Sequence, residues 1–344
     1  MPKATIDDVA RLAGVSIKTV SRVVNRERNV RESTREKVQQ AIEQLSYRPN
    51  LSARNLASQR SHIIGLVYDD PSAYEIPSGS YVIRMQQGVL RACGAADYEL
   101  LIHPCNYRDR NVGAELTALI EQARPDGIVL AAPLSNMPNI VDAISATDTP
   151  FVRLSPGKKN GEQFTVVTND REVCAEMTRY LVSLGHERIA FITGHPSHKA
   201  IEGRFLGYKD GLQQSGIQFS KSLVAAGDNS YQSGETCANE LLALSEPPTA
   251  IFAANDDMAA GVIRAADKLG IDIPAQLSVA GFDDITLARQ IYPSLTTIRQ
   301  PLSRMAELAA QSLIKNIGDV SMLQGTDVVA AEILIRESTG PAPS

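Results

Sequence analysis

Ile17, Lys18, Ser21, Arg22 and Asn25 fall on one side of a short helical pattern whose other side carries Val20, Val23 and Val24. Those residue types suit reading of base edges. Arg22 offers paired donors to guanine O6 and N7, Lys18 reaches the same acceptors, and Ile17 can lie on a thymine methyl. Ser16, Thr19, Ser21 and Asn25 carry short side chains suited to phosphate oxygens. An ordinary helical hairpin with a polar outer face is the alternative.

A second group of polar residues ends a series of apolar runs. HIIGLVYD (62–69), YELLIHPCN (98–106), DGIVLAAP (126–133) and PFVRLS (150–155) read as buried strands. So do RIAFITG (188–194), SLVAAGD (222–228), AIFAAND (250–256) and LSVAGFDD (277–284). Helical stretches alternate with them, so parallel sheets covered by helices are expected, in two lobes. Ligands of such folds bind beyond the carboxyl ends of the strands. Here those ends carry Asp69, Ser155, the loop after Gly194, Asn255 and Asp283. Tyr74 and Tyr81 in the loop 69–81 either stack on a sugar face or are plain exposed tyrosines. His195 and His198 in HPSH have no carboxylate or cysteine at ligand spacing, so hydrogen bonding is preferred to a metal pair. Asp283 and Asp284 are adjacent, which suits binding plus capping better than paired acid–base chemistry. No GxxxxGK[ST], GxSxG or HExxH occurs. No cofactor is implied.

The elements that position the first group are short helices. Thr5 is a good N-cap, with Asp7 and Asp8 in the first turn where the helix dipole favours acids. Gly14 ends this helix and Ser16 caps the next, a helix-turn-helix signature. Ser33 is expected to cap a third helix, with Val38, Ala41, Ile42 and Leu45 as its apolar stripe. Pro49 breaks that helix and Asn50 can cap a short new one.

Charge separates the two parts. The 344-residue chain has a net charge of −5, yet residues 1–60 hold twelve Lys/Arg against six acids, leaving that segment +6 and the rest −11. A basic head on an acidic body suits a polyanion-binding module joined to a globular one. Four widely spaced cysteines without a CxxC fit a reducing compartment, and the acid-bearing start is not a secretory signal. No apolar run approaches the roughly 18 residues of a membrane span. A cytoplasmic protein associated with the nucleoid is expected.

TIDDVARLAGVSIKTVSRVVN (5–25) and VRESTREKVQQAIEQLSYRPN (30–50) together resemble the headpiece of the lac/gal-repressor family of regulators, and the resemblance continues through the body. It implies a three-helix helix-turn-helix headpiece (1–48), a hinge helix (49–60), and a two-lobed effector domain like the periplasmic binding proteins (61–344). The first lobe would span about 61–160 plus 293–321 and the second about 161–292 plus 322–340. Operator contacts carried over are Thr5, Ser16, Ile17, Lys18, Thr19, Ser21, Arg22, Asn25, Thr34, Asn50, Ala53, Arg54 and Leu56. Leu56 matches the leucine that wedges into the minor groove and bends the duplex. In the cleft, Arg204 matches an arginine that grips hydroxyls or carboxylate, Asp283 a carboxylate that accepts hydroxyl hydrogens, and Asn255 a polar cleft residue. Asp69, Tyr81, Ser155, His198 and Tyr231 complete the expected effector set. The family's galactoside-binding pattern is broken at Ser155, at Ala131 and by the absence of any tryptophan.

The resemblance thus implies a repressor without enzymatic activity. A homodimer would hold a pseudo-palindromic operator through N-lobe surfaces around Ile83–Ala92, and a small molecule, a mono- or oligosaccharide, would release it. An inducer is expected, with a corepressor as the alternative. A sugar-binding protein that ignores DNA and an enzyme using the cleft carboxylates are the rivals.

Overall fold

The computed structural model describes residues 4–24, 29–47, 60–70, 79–157 and 163–343. The expected contacts Asn25, Asn50, Ala53, Arg54 and Leu56, together with Tyr74 and nearly all of the hinge segment, lie outside these residues. Two compact units divide at Ser61–His62.

The first unit is helical: α1 (Ile6–Ala13), α2 (Ile17–Val24) and α3 (Glu32–Gln44). Thr5 and Asp8 form a reciprocal capping box, in which Thr5 N donates to Asp8 Oδ2 at 2.9 Å and Asp8 N donates to Thr5 Oγ1 at 3.4 Å. Gly14 has φ 67°, a left-handed conformation that glycine adopts without strain. Ser16 Oγ accepts Thr19 N at 3.2 Å and starts α2. Ser33 does not cap α3: the helix begins two residues earlier than a Ser33 cap would place it, Arg31 holds the N-cap without a side-chain bond, and Glu32 supplies the negative charge that favours a helix start. Val9, Val20, Val23, Val38 and Ala41 close the small core.

Twelve strands and nine α-helices make up most of the described part of the second unit. The strands are β1 (Ile63–Asp69), β2 (Glu99–Cys105), β3 (Gly127–Leu130), β4 (Phe151–Leu154), β5 (Thr165–Thr168), β6 (Ile189–Thr193), β7 (Val224–Ala226), β8 (Ala250–Ala253), β9 (Ser278–Asp283), β10 (Thr296–Arg299), β11 (Thr326–Val329) and β12 (Glu332–Leu334). The helices are α4 (Ser80–Ala95), α5 (Val112–Ala123), α6 (Pro138–Ser145), α7 (Asp170–Ser183), α8 (Ala200–Gln214), α9 (Tyr231–Leu242), α10 (Asp256–Leu269), α11 (Thr286–Gln290) and α12 (Leu302–Asn316).

Two sheets result. The first runs β11-β5-β4-β3-β1-β2 and is parallel throughout. The second runs β12-β10-β9-β8-β6-β7 and is parallel except for the β10–β12 pair. Burial on both faces accounts for the continuous apolar runs of the central strands. Helix α4 lies against α12 at Gly88, where a Cβ would come within 2.1 Å of Ser303 O.

Strand membership moves all three expected lobe boundaries. β5 sits in the first sheet, so the chain leaves that lobe after Thr168 and not near 160. β10 belongs to the second sheet and α12 packs on the first, so the return falls at Gln300–Pro301 and not near 292. β11 closes the edge of the first sheet and β12 that of the second, which puts the last crossing between Val329 and Glu332 and not near 322. In each case a short strand with few large apolar residues carries the chain past the expected exchange point.

Candidate functional site

The α/β unit contains a cavity of about 160 Å³ between its two sheets' carboxyl ends. Seven of the eight expected effector residues line it: Asp69, Tyr81, Ser155, His198, Arg204, Asn255 and Asp283. Tyr231 does not. It opens α9 with its side chain partly in solvent, while Asn229, two residues earlier, lines the cavity from a left-handed turn of φ 75°. Sequence reading also passed over Tyr68, Tyr107, Arg108, Asp257 and Gln300 as lining groups. Tyr68 and Tyr107 were legible as aromatics at or just past strand ends. Gln300 was hidden because it lies at a lobe crossing that was expected elsewhere.

Arg204 is the electrostatic centre. It projects from the first turns of α8, is only 6% exposed, and lies over the Phe282 ring with its guanidinium carbon 3.6 Å from the centroid. Its Nη1 donates to Ala254 O, its Nε stands 3.8 Å from Asp170 Oδ2, and its Nη2 stands 3.6 Å from Asp283 Oδ1. Burial works against its charge, but Asp283 and Asp170 outweigh burial and hold it protonated. Burial pushes Asp170 up, with Arg204 opposing. Asp283 is pushed up to about 7 by burial, with Arg204 again opposing. His198 is pushed down to about 4, mainly by burial and then by Arg204, so it is a neutral imidazole near pH 7. Burial also raises the Tyr81 phenol, which therefore stays protonated and able to donate.

Several polar groups of the cavity are already spent within the protein. Asn255 Nδ2 donates to Asn229 O at 2.8 Å, and its Oδ1 accepts Met258 N at 2.9 Å, capping α10. Its amide therefore shapes the cavity by holding the Asn229 turn. His195 N donates to Asn229 Oδ1 at 3.3 Å, and the His195 ring is 3.3 Å from Tyr107 Oη across the two lobes. Tyr107 N in turn donates to Asp69 Oδ1 at 3.3 Å.

Other groups lack such partners. Ser155 Oγ, Arg204 Nε, Asp283 Oδ1 and Gln300 Oε1 are buried, line the same cavity, and make no hydrogen bond among the described residues. Leaving buried polar atoms unsatisfied costs about 1–3 kcal/mol each, so this cluster is a set of donors and acceptors suited to a bound polar molecule. Ser155 and Asp283 also have φ of 50° and 115°, left-handed backbone that non-glycine residues adopt at a cost. Among the described residues no group of three or more His, Cys, Asp or Glu side chains is placed to hold a metal ion.

In the helical unit Ile17 is 47% exposed and Lys18 is exposed beside it, whereas Val20 and Val23 are buried. Ser21, Arg22 and Thr34 are half-buried. The hydroxyls of Thr5, Ser16 and Thr19 are engaged at helix caps: Thr5 Oγ1 donates to Asp8 Oδ2 at 2.7 Å, and Ser16 and Thr19 pair at 2.9 Å. Ile17 and Lys18 thus lie on the exposed side of α2, opposite its buried valines.

Sequence comparison assigns both units. Residues 5–50 match the profile described as bacterial regulatory proteins, lacI family, and residues 178–339 match the periplasmic binding protein-like domain. The HTH-type transcriptional regulator GalR of Escherichia coli (strain K12) is 35% identical, over 99% of this chain and 97% of its own. The chain belongs to the lacI family of bacterial regulatory proteins. Solved structures agree with this family member along nearly its whole length. The complex of the transcriptional regulator CelR with cellobiose superposes with a TM-score of 0.75 at 28% identity, covering 97% of this chain and 99% of that one. The lac repressor dimer bound to operator and an anti-inducer superposes with a TM-score of 0.79 at 25% identity, covering 98% and 100%. Among the described residues no helix of this family member is long and apolar enough to cross a membrane.

Proposed function

We propose that this lacI-family protein is a transcriptional repressor whose hold on operator DNA is released by an uncharged polyhydroxy ligand, a sugar, bound in the cavity around Arg204 and Asp283. The four unsatisfied polar atoms carry the reading. Two acceptors (Asp283 Oδ1 and Gln300 Oε1), one donor (Arg204 Nε) and one hydroxyl (Ser155) form the mixed array that vicinal hydroxyls satisfy. Arg204 already faces two carboxylates, which disfavours an anionic sugar. Val82 and Met85 supply apolar surface for the ring carbons, and Phe282 backs the Arg204 guanidinium.

DNA contact falls to Ile17, Lys18, Ser21 and Arg22 in the major groove, with Thr5, Ser16, Thr19, Asn25 and Thr34 near phosphates. Asn50, Ala53, Arg54 and the Leu56 wedge serve the minor groove. The relative in complex with cellobiose and the one on its operator support the pairing of a sugar with a DNA site. A homodimer through α4 places two headpieces on a pseudo-palindrome. Ile83 and Leu90, seven residues apart on that helix, are 52% and 58% exposed. The protein works in the cytoplasm, on the nucleoid, and binds its ligand without turnover.

Fluorescence anisotropy on palindromic DNA from upstream of its own gene, titrated with neutral and acidic sugars at fixed salt, tests this. Release by a neutral sugar is expected. Tightening by that sugar would make the protein a corepressor type. Release by a uronate or a phosphorylated sugar alone would overturn the uncharged-ligand reading.

A further inference from the structure

Arg84 makes a charge-assisted contact between the two lobes beside the cavity. It stands on α4 of the first lobe, on the helix that also sends Tyr81, Val82 and Met85 into the cavity. Its Nη1 donates to Asp283 O at 3.1 Å, and its Nη2 donates to Asp284 O. Both acceptors belong to the second lobe, at the carboxyl end of β9. The two residues have φ of 115° and 52°, so consecutive non-glycine residues are held in left-handed backbone. Such a turn persists only when its surroundings fix it.

The side chains of this turn face different structures. Asp283 faces the cavity and Arg204. Asp284 is fully buried and receives Arg289 and Arg299 at 2.8 Å each, and Arg336. Arg299 is the last residue of β10, next to the Gln300–Pro301 crossing, and its Nη1 donates at 2.6 Å to Glu332 Oε1, where the last crossing ends; Arg336 lies just beyond β12. One dipeptide therefore touches the cavity, two of the three interlobe crossings and, through Arg84, the helix with the exposed Ile83 and Leu90 face.

We propose that Arg84 is a positioning residue that clasps the first lobe to the Asp283–Asp284 turn and sets the angle between the lobes. A guanidinium can bridge two successive carbonyls; a lysine ammonium reaches one or both as a point charge, and a neutral amide does so weakly. Any ligand that draws Asp283 toward the cavity shifts the carbonyls that Arg84 holds, and α4 must follow. The clasp does not depend on which ligand fills the cavity or on whether the headpiece binds DNA.

The test uses the full chain with spin labels at Glu121→Cys on the first lobe and Gln213→Cys on the second. The labelled chain is diluted into an excess of unlabelled protein. All four native cysteines are buried, so labelling is confined to the introduced ones. The interlobe distance distribution is read by pulsed electron resonance, with no sugar or DNA present. Arg84→Gln and Arg84→Met should both lengthen or broaden the distribution by several ångströms. Arg84→Lys should return it most of the way, with unchanged thermal midpoint across the series. A distribution identical to that of the parent in both neutral variants would overturn the clasp. So would a broadening that Arg84→Lys fails to reduce, because a general loosening would then explain it.

Discussion

Asp283 Oδ1 stands 3.6 Å from Arg204 Nη2, close enough to feel its charge and too far to accept a hydrogen bond from it. The pair is thus electrostatically coupled and geometrically unfinished. A bound hydroxyl can complete it by donating to the carboxylate, which neither Arg204 nor any other described residue does.

Replacing Asp283 by asparagine should separate ligand binding from stability. Its folded pKa of about 7 lies above the usual 3.8, so its contribution is most favourable when it is protonated and is lost as pH rises through 7. Asp283→Asn should therefore stabilise the ligand-free protein at pH 8, by about 1–3 kcal/mol, and change little at pH 4. Sugar binding should be lost at both. Denaturant titration at the two pH values checks the first part and calorimetry the second; destabilisation at pH 8 would mean that the ionised carboxylate is worth more to Arg204 than burial costs.

Asp284 behaves in the opposite way. Burial pushes it up, but hydrogen bonds from Arg289, Arg299 and Arg336 outweigh burial and hold it at about 2. A depressed carboxylate contributes stability above its unfolded pKa, near 4, that disappears as pH falls toward 2. Asp284→Asn should cost about 3–5 kcal/mol near pH 7 because it leaves guanidinium groups short of their counter-charge. Urea midpoints at pH 7 and pH 3 should show the loss shrinking at the lower pH.

Lys18→Ala should relax operator preference more than it lowers affinity. Comparing the loss on operator and on scrambled DNA at fixed salt decides the matter, since equal weakening on both would make Lys18 a phosphate contact only.

Leu56→Ala should reduce bending of the operator and specific affinity while sparing non-specific binding. Circular-permutation gel shifts report the bend angle, and an unaltered angle would remove Leu56 as a wedge.

Gly88→Ala should destabilise the first lobe by several kcal/mol, on the order of an overpacked core site, because the new methyl meets Ser303 backbone at 2.1 Å. A thermal melt that shifts by less than a degree would show that α4 and α12 part easily.

The sequence made the helical head and most of the cavity legible because both rest on local signals. Gly14 and Ser16 mark a turn whose geometry is set within three residues, and Asp69, Ser155 and Asp283 sit at strand ends whose apolar runs are unmistakable. Tyr231 was misplaced because helix starts tolerate either neighbour of a turn, and the backbone chose Asn229 for the left-handed position that asparagine adopts at lower cost. The late boundaries were misread because TVVT (165–168) and TDVV (326–329) are short and half polar, and each finds its pairing partner 161 residues away. Arg84 gave no signal at all: an arginine on an amphipathic helix is ordinary until the second lobe is present to receive it.

The pairing of β11 with β5 has a consequence for synthesis. A ribosome that has made 300 residues has delivered neither sheet whole: the first still lacks the strand at 326–329, and the second lacks the strand at 332–334. Neither lobe can be finished while the other waits. The nascent chain carries two open sheet edges until its last stretch emerges, and an interruption of translation there yields two incomplete lobes where a beads-on-a-string protein would keep one intact.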